Sequence, residues 1–235
     1  MESLLPAEKD AIRALGVAVR MPDSLVPSCN VTLVGKGWGG HHLCHPISPS
    51  CVFYSFGIST DYSFDRELAK VHGCNGYAFD PTLKRSPNIH AKVPFFPTGA
   101  AVLHEVPFPT TNLTAVKKER RHTSIDVLKM DCEGCEYAIS RDVRANDPHF
   151  FDHVRQFAVE LHIDRVRLQG CKELKGFGQL LVLIRDSGLR LEHAELTPCS
   201  GWKERRGCLV DLQQLGFPCS RRKMCQNLLF ARRSF

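Results

Sequence analysis

Acidic residues recur directly after apolar runs in this chain, and that placement could support chemistry. Gly57-Ile58-Ser59-Thr60-Asp61 follows the run from Cys51 to Phe56, and Asp80-Pro81 follows Tyr77 to Phe79. Asp131-Cys132-Glu133-Gly134 follows Ile125 to Met130, and Glu160 and His162 lie within QFAVELHI. If each run is a strand of one parallel sheet, all of these residues meet at its carboxyl edge, where such sheets bind ligands. Crowded carboxylates repel one another, so donors or positive charge should lie among them. A histidine or a carboxylate at that edge can accept a proton, which makes Asp131, Glu133 and His162 the candidates for a general base.

The elements that would position these residues can be read from periodicity. Cys51 to Phe56 is a short β-branched and aromatic run, the mark of a buried strand. Ser63 to His72 places Phe64, Leu68 and Val71 at helical spacing, with Asp65 and Glu67 in the first turn and Gly73 as its stop. Strands are also expected at Tyr77 to Phe79, Ile125 to Met130, Val154 to Ile163, Leu189 to Leu196 and Asn227 to Arg232. Lys92 to Phe96 is a weaker strand, shortened by Pro94 and Pro97. Helices are expected at Thr111 to His122, Glu136 to Val143 and Cys171 to Ser187, with an amphipathic helix at the N-terminus. This alternation predicts an α/β fold, a mostly parallel sheet with helices on both faces. Residues 1–50 read as an N-terminal helix and an irregular lead-in with one short edge strand, Val31 to Val34. Residues 51–235 read as the main domain.

The unit from Cys51 to Thr82 resembles in outline a βαβ unit that grips a nucleotide. Asp80 falls roughly 20 residues after the first loop, where an acidic residue meets ribose hydroxyls. The loop itself has one glycine, Gly57, and carries Asp61. A pyrophosphate would be repelled by Asp61, which argues against a nicotinamide dinucleotide. S-adenosylmethionine is cationic and carries no phosphate, so its ammonium could pair with Asp61 and its ribose with Asp80. Phe56, Gly57, Ser59, Asp61, Asp80, Pro81 and Asp131 are the cofactor-binding candidates.

These same residues carry a resemblance. SFGI, FDPT, IDVLKMDCEGCEYAI and VELH resemble the methyltransferases related to the FkbM type, in particular the methyltransferase-like 24 type. Asp131, Glu133, Gly134 and Glu136 fit the pattern of an apolar strand, Lys, apolar, Asp, any, Glu, Gly, any, Glu. Asp61 departs from it, standing where FkbM-type members usually have glycine. The resemblance implies a Rossmann-like fold with a seven-stranded sheet and S-adenosylmethionine as methyl donor. It also implies an acceptor bearing a hydroxyl, a small molecule or a glycan. The other readings are a methyltransferase-like domain that binds without turnover, and an NAD-dependent oxidoreductase.

Composition sets the remaining bounds. The chain has 235 residues, a net charge of +6 and no apolar run long enough for a bilayer. The basic clusters Lys117, Lys118, Arg120, Arg121 and Arg221, Arg222, Lys223 lack interleaved aromatic residues, so no nucleic-acid surface is expected. Eleven cysteines and the sequons at Asn30 and Asn112 suit a secretory compartment, while no targeting segment is visible. Cys44 and Cys51 are close enough in sequence to bridge. Cys132 and Cys135 form a CxxC that packing as free thiols explains better than metal. His41, His42 and His45, with Cys44, suit a surface loop or flap better than a ligand set. No metal ligand is assigned.

Overall fold

The computed structural model describes residues 4–100, 109–162, 171–197, 214–217 and 225–232. Helix α1 (Pro6–Arg20) is followed by a two-stranded antiparallel hairpin, β1 (Asn30–Val34) and β2 (His41–His45). The main sheet comprises β3 (Val52–Phe56), β4 (Asn75–Phe79), β5 (Phe95–Phe96), β6 (Ile125–Met130), β7 (Val154–His162), β8 (Arg190–Thr197) and β9 (Cys225–Ala231). Helices α2 (Ser63–Lys70), α3 (Leu113–Glu119), α4 (Cys135–Asn146) and α5 (Cys171–Asp186) connect them. The spatial order is β5-β4-β3-β6-β7-β9-β8. All pairings from β5 to β7 are parallel, and β9 runs antiparallel to both of its neighbours. This is the expected seven-stranded, mostly parallel, Rossmann-like α/β fold. The chain leaves β3 in one direction towards β4 and returns on its other side as β6, so the switch in strand order falls between β3 and β6.

Strand alternation feeds two cores. Tyr54 and Phe56 of β3 join one with Leu128 of β6, Phe157 of β7 and residues of α1, α3, α4 and α5. Phe53 of β3 joins the other with Val127, Ala158, Phe64 and Leu68 of α2, and Val34 and Leu43 of the hairpin. Burial on both faces is why these strands read as continuous apolar runs rather than alternating ones.

The hairpin is where sequence and structure part. Residues 30–45 are not an irregular lead-in; they form β1 and β2, laid on the sheet opposite α1. Buried Gln156 of β7 fixes the contact, accepting from Cys44 N at 2.7 Å and donating to Cys44 O at 3.1 Å. His41, taken for part of a surface loop, is 2% exposed. Cys44 bonds Cys29 rather than Cys51, and Cys51 bonds Cys74, tying the start of β3 to the start of β4. Cys132 and Cys135 are joined in a disulfide, not packed as free thiols. Such bridges form and persist in oxidising compartments. The expected strand at residues 92–96 shrinks to Phe95–Phe96, as Pro94 and Pro97 remove ladder donors. Ile163, Cys199, Cys208, Cys219 and the cluster Arg221, Arg222 and Lys223 lie outside the described residues. Among the described residues no helix is long and apolar enough to cross a membrane.

Candidate active site

The hydrogen-bond ladder runs one residue past the strands and sets the site. Gly57 N donates to Phe79 O at 2.8 Å, Asp80 N to Phe96 O at 3.1 Å and Asp131 N to Phe56 O at 3.0 Å. Gly57, Asp80 and Asp131 therefore stand level across three neighbouring strands. A cavity of about 520 Å³ opens over them, within the range of small-ligand sites. Its walls include Phe56, Gly57, Ser59, Asp61, Asp80, Pro81, Asp131 and Glu133, so every cofactor-binding candidate and two of the three candidate bases reach it. Ile58, Phe79 and Ala100 add apolar wall, and Trp38, two-thirds exposed, stands at the rim.

Gly57 has a role other than the one its position suggested. Its φ is +76°, and a Cβ there would overlap the carbonyl oxygen of Asp131. It is the packing of the β3 end against the β6 end that demands glycine, not the approach of a ligand.

The two acidic candidates of the βαβ unit are partly engaged by the protein. Asp80 Oδ2 accepts from Ser59 N at 2.8 Å. Its Oδ1 accepts from Thr82 N at 2.8 Å and Thr82 Oγ1 at 2.6 Å. These bonds hold the loop after β3 to the end of β4, although Ser59 must adopt φ +45° to make its own. Asp61 Oδ2 accepts from Gly39 N and Oδ1 from Ser63 N, both at 3.1 Å. Burial works to raise the Asp61 pKa, but the Ser63 and Gly39 donors and Lys36 bring it below the ordinary value.

The positive charge required among the carboxylates comes from Lys129 and His162. Lys129 is 2% exposed; its Nζ donates to Gly57 O at 2.6 Å and lies 3.7 Å from Asp131 Oδ2. Burial would raise the Asp131 pKa, but Lys129, His41 and His162 hold it below the usual carboxylate range. Neutral His41 completes this side, 4.0 Å from Asp131; burial and then Lys129 push its pKa down to about 3.

His162 does not behave as the neutral base expected of it. It is buried behind the cavity wall, its Nδ1 3.1 Å from Glu136 Oε1. Its Nε2 lies 3.7 Å from Asp131, 3.7 Å from Glu133 and 3.9 Å from Glu160. Burial opposes its charge, but Glu136, Asp131 and Glu160 overcome burial and raise its pKa to about 9. An imidazolium at neutral pH has no lone pair for a proton. Glu160 takes the place at the wall. Burial and then Asp131 push its pKa up to about 7, and its Oε1 accepts from Thr197 Oγ1 at 3.0 Å. Glu136 is fully buried and is used up inside: Oε1 accepts from His162 N at 3.0 Å and Oε2 from Gly134 N at 2.8 Å.

Sequence reasoning therefore missed Lys129, His41, Trp38 and the part played by Glu160. Lys129 did leave a signal, a lone charge in an otherwise apolar strand, which burial obliges to find a partner. His41 left none, because its burial depends on the docking of the hairpin.

With this geometry in place, comparison with known proteins becomes informative. A family model described as a methyltransferase domain matches residues 22–173, more than half of the chain. The human protein called "Probable methyltransferase-like protein 24" is 26% identical over 133 residues, 52% of this chain and 36% of that protein. The chain thus spans about a third of that relative's length. Among solved structures, the METTL16 MTase domain is 13% identical, with 97% of this chain and 82% of that chain covered and a TM-score of 0.39. CalO1, a methyltransferase in calicheamicin biosynthesis solved in its SAH-bound form, is 12% identical, with 80% and 50% covered and a TM-score of 0.31.

Proposed function

The chain belongs to the methyltransferase domain family, and from that premise we propose that it methylates a hydroxyl oxygen of a small molecule or a glycan. S-adenosylmethionine is the cofactor, and it supplies an electrophilic methyl group on a sulfonium sulfur. The FkbM-type kinship suggested by Asp131, Glu133, Gly134 and Glu136 is part of the same proposal.

The cavity suits this cofactor in size and in its donor set. A carboxylate offers about four acceptor positions. Asp61 has given up two of them and keeps one on each oxygen for an ammonium. Asp80 has given up three and keeps one on Oδ2 for a ribose hydroxyl. Phe56, Ile58, Phe79 and Ala100 offer apolar wall for a purine, and Gly57, Ser59 and Pro81 shape the floor between the two carboxylates. Because Trp38 and Gly39 also line the cavity, the working unit begins before residue 51, earlier than the division expected from sequence.

The observation that carries the acceptor chemistry is the Asp131–Glu160 pair on the cavity wall. Lys129 and His162 keep Asp131 ionised, and that charge raises Glu160 to about 7. A carboxylate with a pKa near the working pH is well placed to take a hydroxyl proton. Glu160 is accordingly the general base, Asp131 fixes its proton affinity, and His162 is a positioning residue behind both.

The test is transfer of labelled methyl from S-adenosylmethionine to a panel of hydroxylated small molecules and glycans across pH. The rate should climb through about pH 7 to a plateau, and Glu160→Gln should lower it by about 10²–10⁴-fold. A Glu160→Gln variant with the wild-type rate and pH profile would remove Glu160 from the reaction. Cofactor binding with no labelled acceptor at any pH would favour a domain that binds without turnover.

A further inference from the structure

A second cluster lies on the far side of β2 from the cavity and has no part in the proposed reaction. We propose that His42, His193 and Glu195 form a binding site for a divalent transition-metal ion of the zinc type. His42 lies on β2, and His193 and Glu195 are alternate residues of β8, on one face of that strand. Ser28, just before the hairpin, donates to Glu192 of β8 through its N–H and through its hydroxyl at 2.8 Å, so the two segments are already held together.

Three potential ligand atoms converge there. Glu195 Oε2 is 3.7 Å from His42 Nδ1 and 3.9 Å from His193 Nε2. The two imidazole rings are 3.8 Å apart at their centroids. One ligand atom from each of the three residues falls within a 4.8 Å span. Both ring nitrogens are buried and have no hydrogen-bond partner among the described residues. The separations from Glu195 are too long for hydrogen bonds, yet they suit three ligands disposed around one ion. Zinc–nitrogen and zinc–oxygen bonds of about 2.0–2.2 Å place tetrahedral ligand atoms roughly 3.3 Å apart. Small side-chain rotations would close the remaining gap.

The donor set selects the kind of ion. Two imidazoles and one carboxylate suit zinc and its neighbours, whereas magnesium and calcium demand oxygen donors and cuprous ion demands sulfur. Glu195 is half exposed, so a water molecule can complete the coordination from the solvent side. The consequence for the fold is specific. A metal here would tie β2, which carries His41 beside Asp131, to β8, which carries Thr197 bonded to Glu160. It would thus fasten two walls of the cavity together without entering it. The site stands on its own geometry and does not depend on the methyl-transfer reading.

The test uses the full chain with its disulfides intact, stripped of metal by a chelator and titrated with zinc against a chromophoric competitor. One zinc ion should bind per chain, and the thermal midpoint should rise. His193→Ala and the half-exposed, shape-preserving Glu195→Gln should each weaken binding by at least about tenfold, with metal-free circular dichroism unchanged for Glu195→Gln. Cobalt should bind without a thiolate charge-transfer band. Zinc lost to a weak competitor, or wild-type affinity in both variants, would overturn the proposal. A thiolate band would overturn it too, by placing the metal on cysteine.

Discussion

His162 is the residue whose behaviour depends most on its neighbours. The reading of sequence placed it at the strand edge as a neutral histidine, and it is at that edge. Its charge state is set by Glu136, which comes from α4 and makes both a backbone and a side-chain contact with it. A prediction follows for stability. The folded pKa of about 9 lies above the ordinary 6.5, so His162 contributes stability that is fully present below about pH 6.5. That contribution is lost as pH rises through 9. A shift of this size corresponds to roughly 3 kcal/mol. Glu160, also raised, works in the same direction, losing its contribution as pH rises through 7. Urea unfolding should therefore show a fall in stability between pH 7 and 9.5, and His162→Gln should flatten it. An unchanged slope in that variant would mean that His162 is not charged in the folded protein.

At the scale of elements, the end of β3 has the tightest tolerance. Gly57→Ala must accept a positive φ, which costs about 1–2 kcal/mol. It must also part the ends of β3 and β6, an overpacking cost of about 1–3 kcal/mol. Chemical denaturation should register a loss of about 2–5 kcal/mol, and a loss under 1 kcal/mol would contradict the close approach. The same scale shows what was legible in sequence. The strands from β3 to β9 were readable because burial on both faces makes them continuous apolar runs, and Asp80 and Asp131 were readable because they follow such runs directly. The hairpin was not readable, because its glycines and histidines hide any alternation. Its shape comes from Gln156, 112 residues distant, and from the Cys29–Cys44 bridge. The disulfide between Cys132 and Cys135 was hidden for a different reason. Spacing alone fits a thiol pair, a metal pair or a bridge equally well, and only the turn through Glu133 and Gly134, both at positive φ, brings the two sulfurs together.

For the whole molecule, the order of strands is what joins these parts into one site. The reversal between β3 and β6 opens a cavity at the carboxyl edge, and the hairpin closes one side of it with Trp38 and His41. Acidic residues on its walls divide into two groups. Asp61 and Asp80 retain free acceptor positions, whereas Asp131 and Glu160 form a pair tuned by Lys129 and His162. The central claim is that this cavity receives S-adenosylmethionine, with Asp80 on its ribose. Calorimetric titration with S-adenosylhomocysteine, the demethylated product, tests it most directly. One site per chain should bind, and a folded Asp80→Asn variant should bind more weakly by about 1.5–3 kcal/mol. A folded wild-type chain that releases no heat with this ligand, or an Asp80→Asn variant of unchanged affinity, would contradict the account.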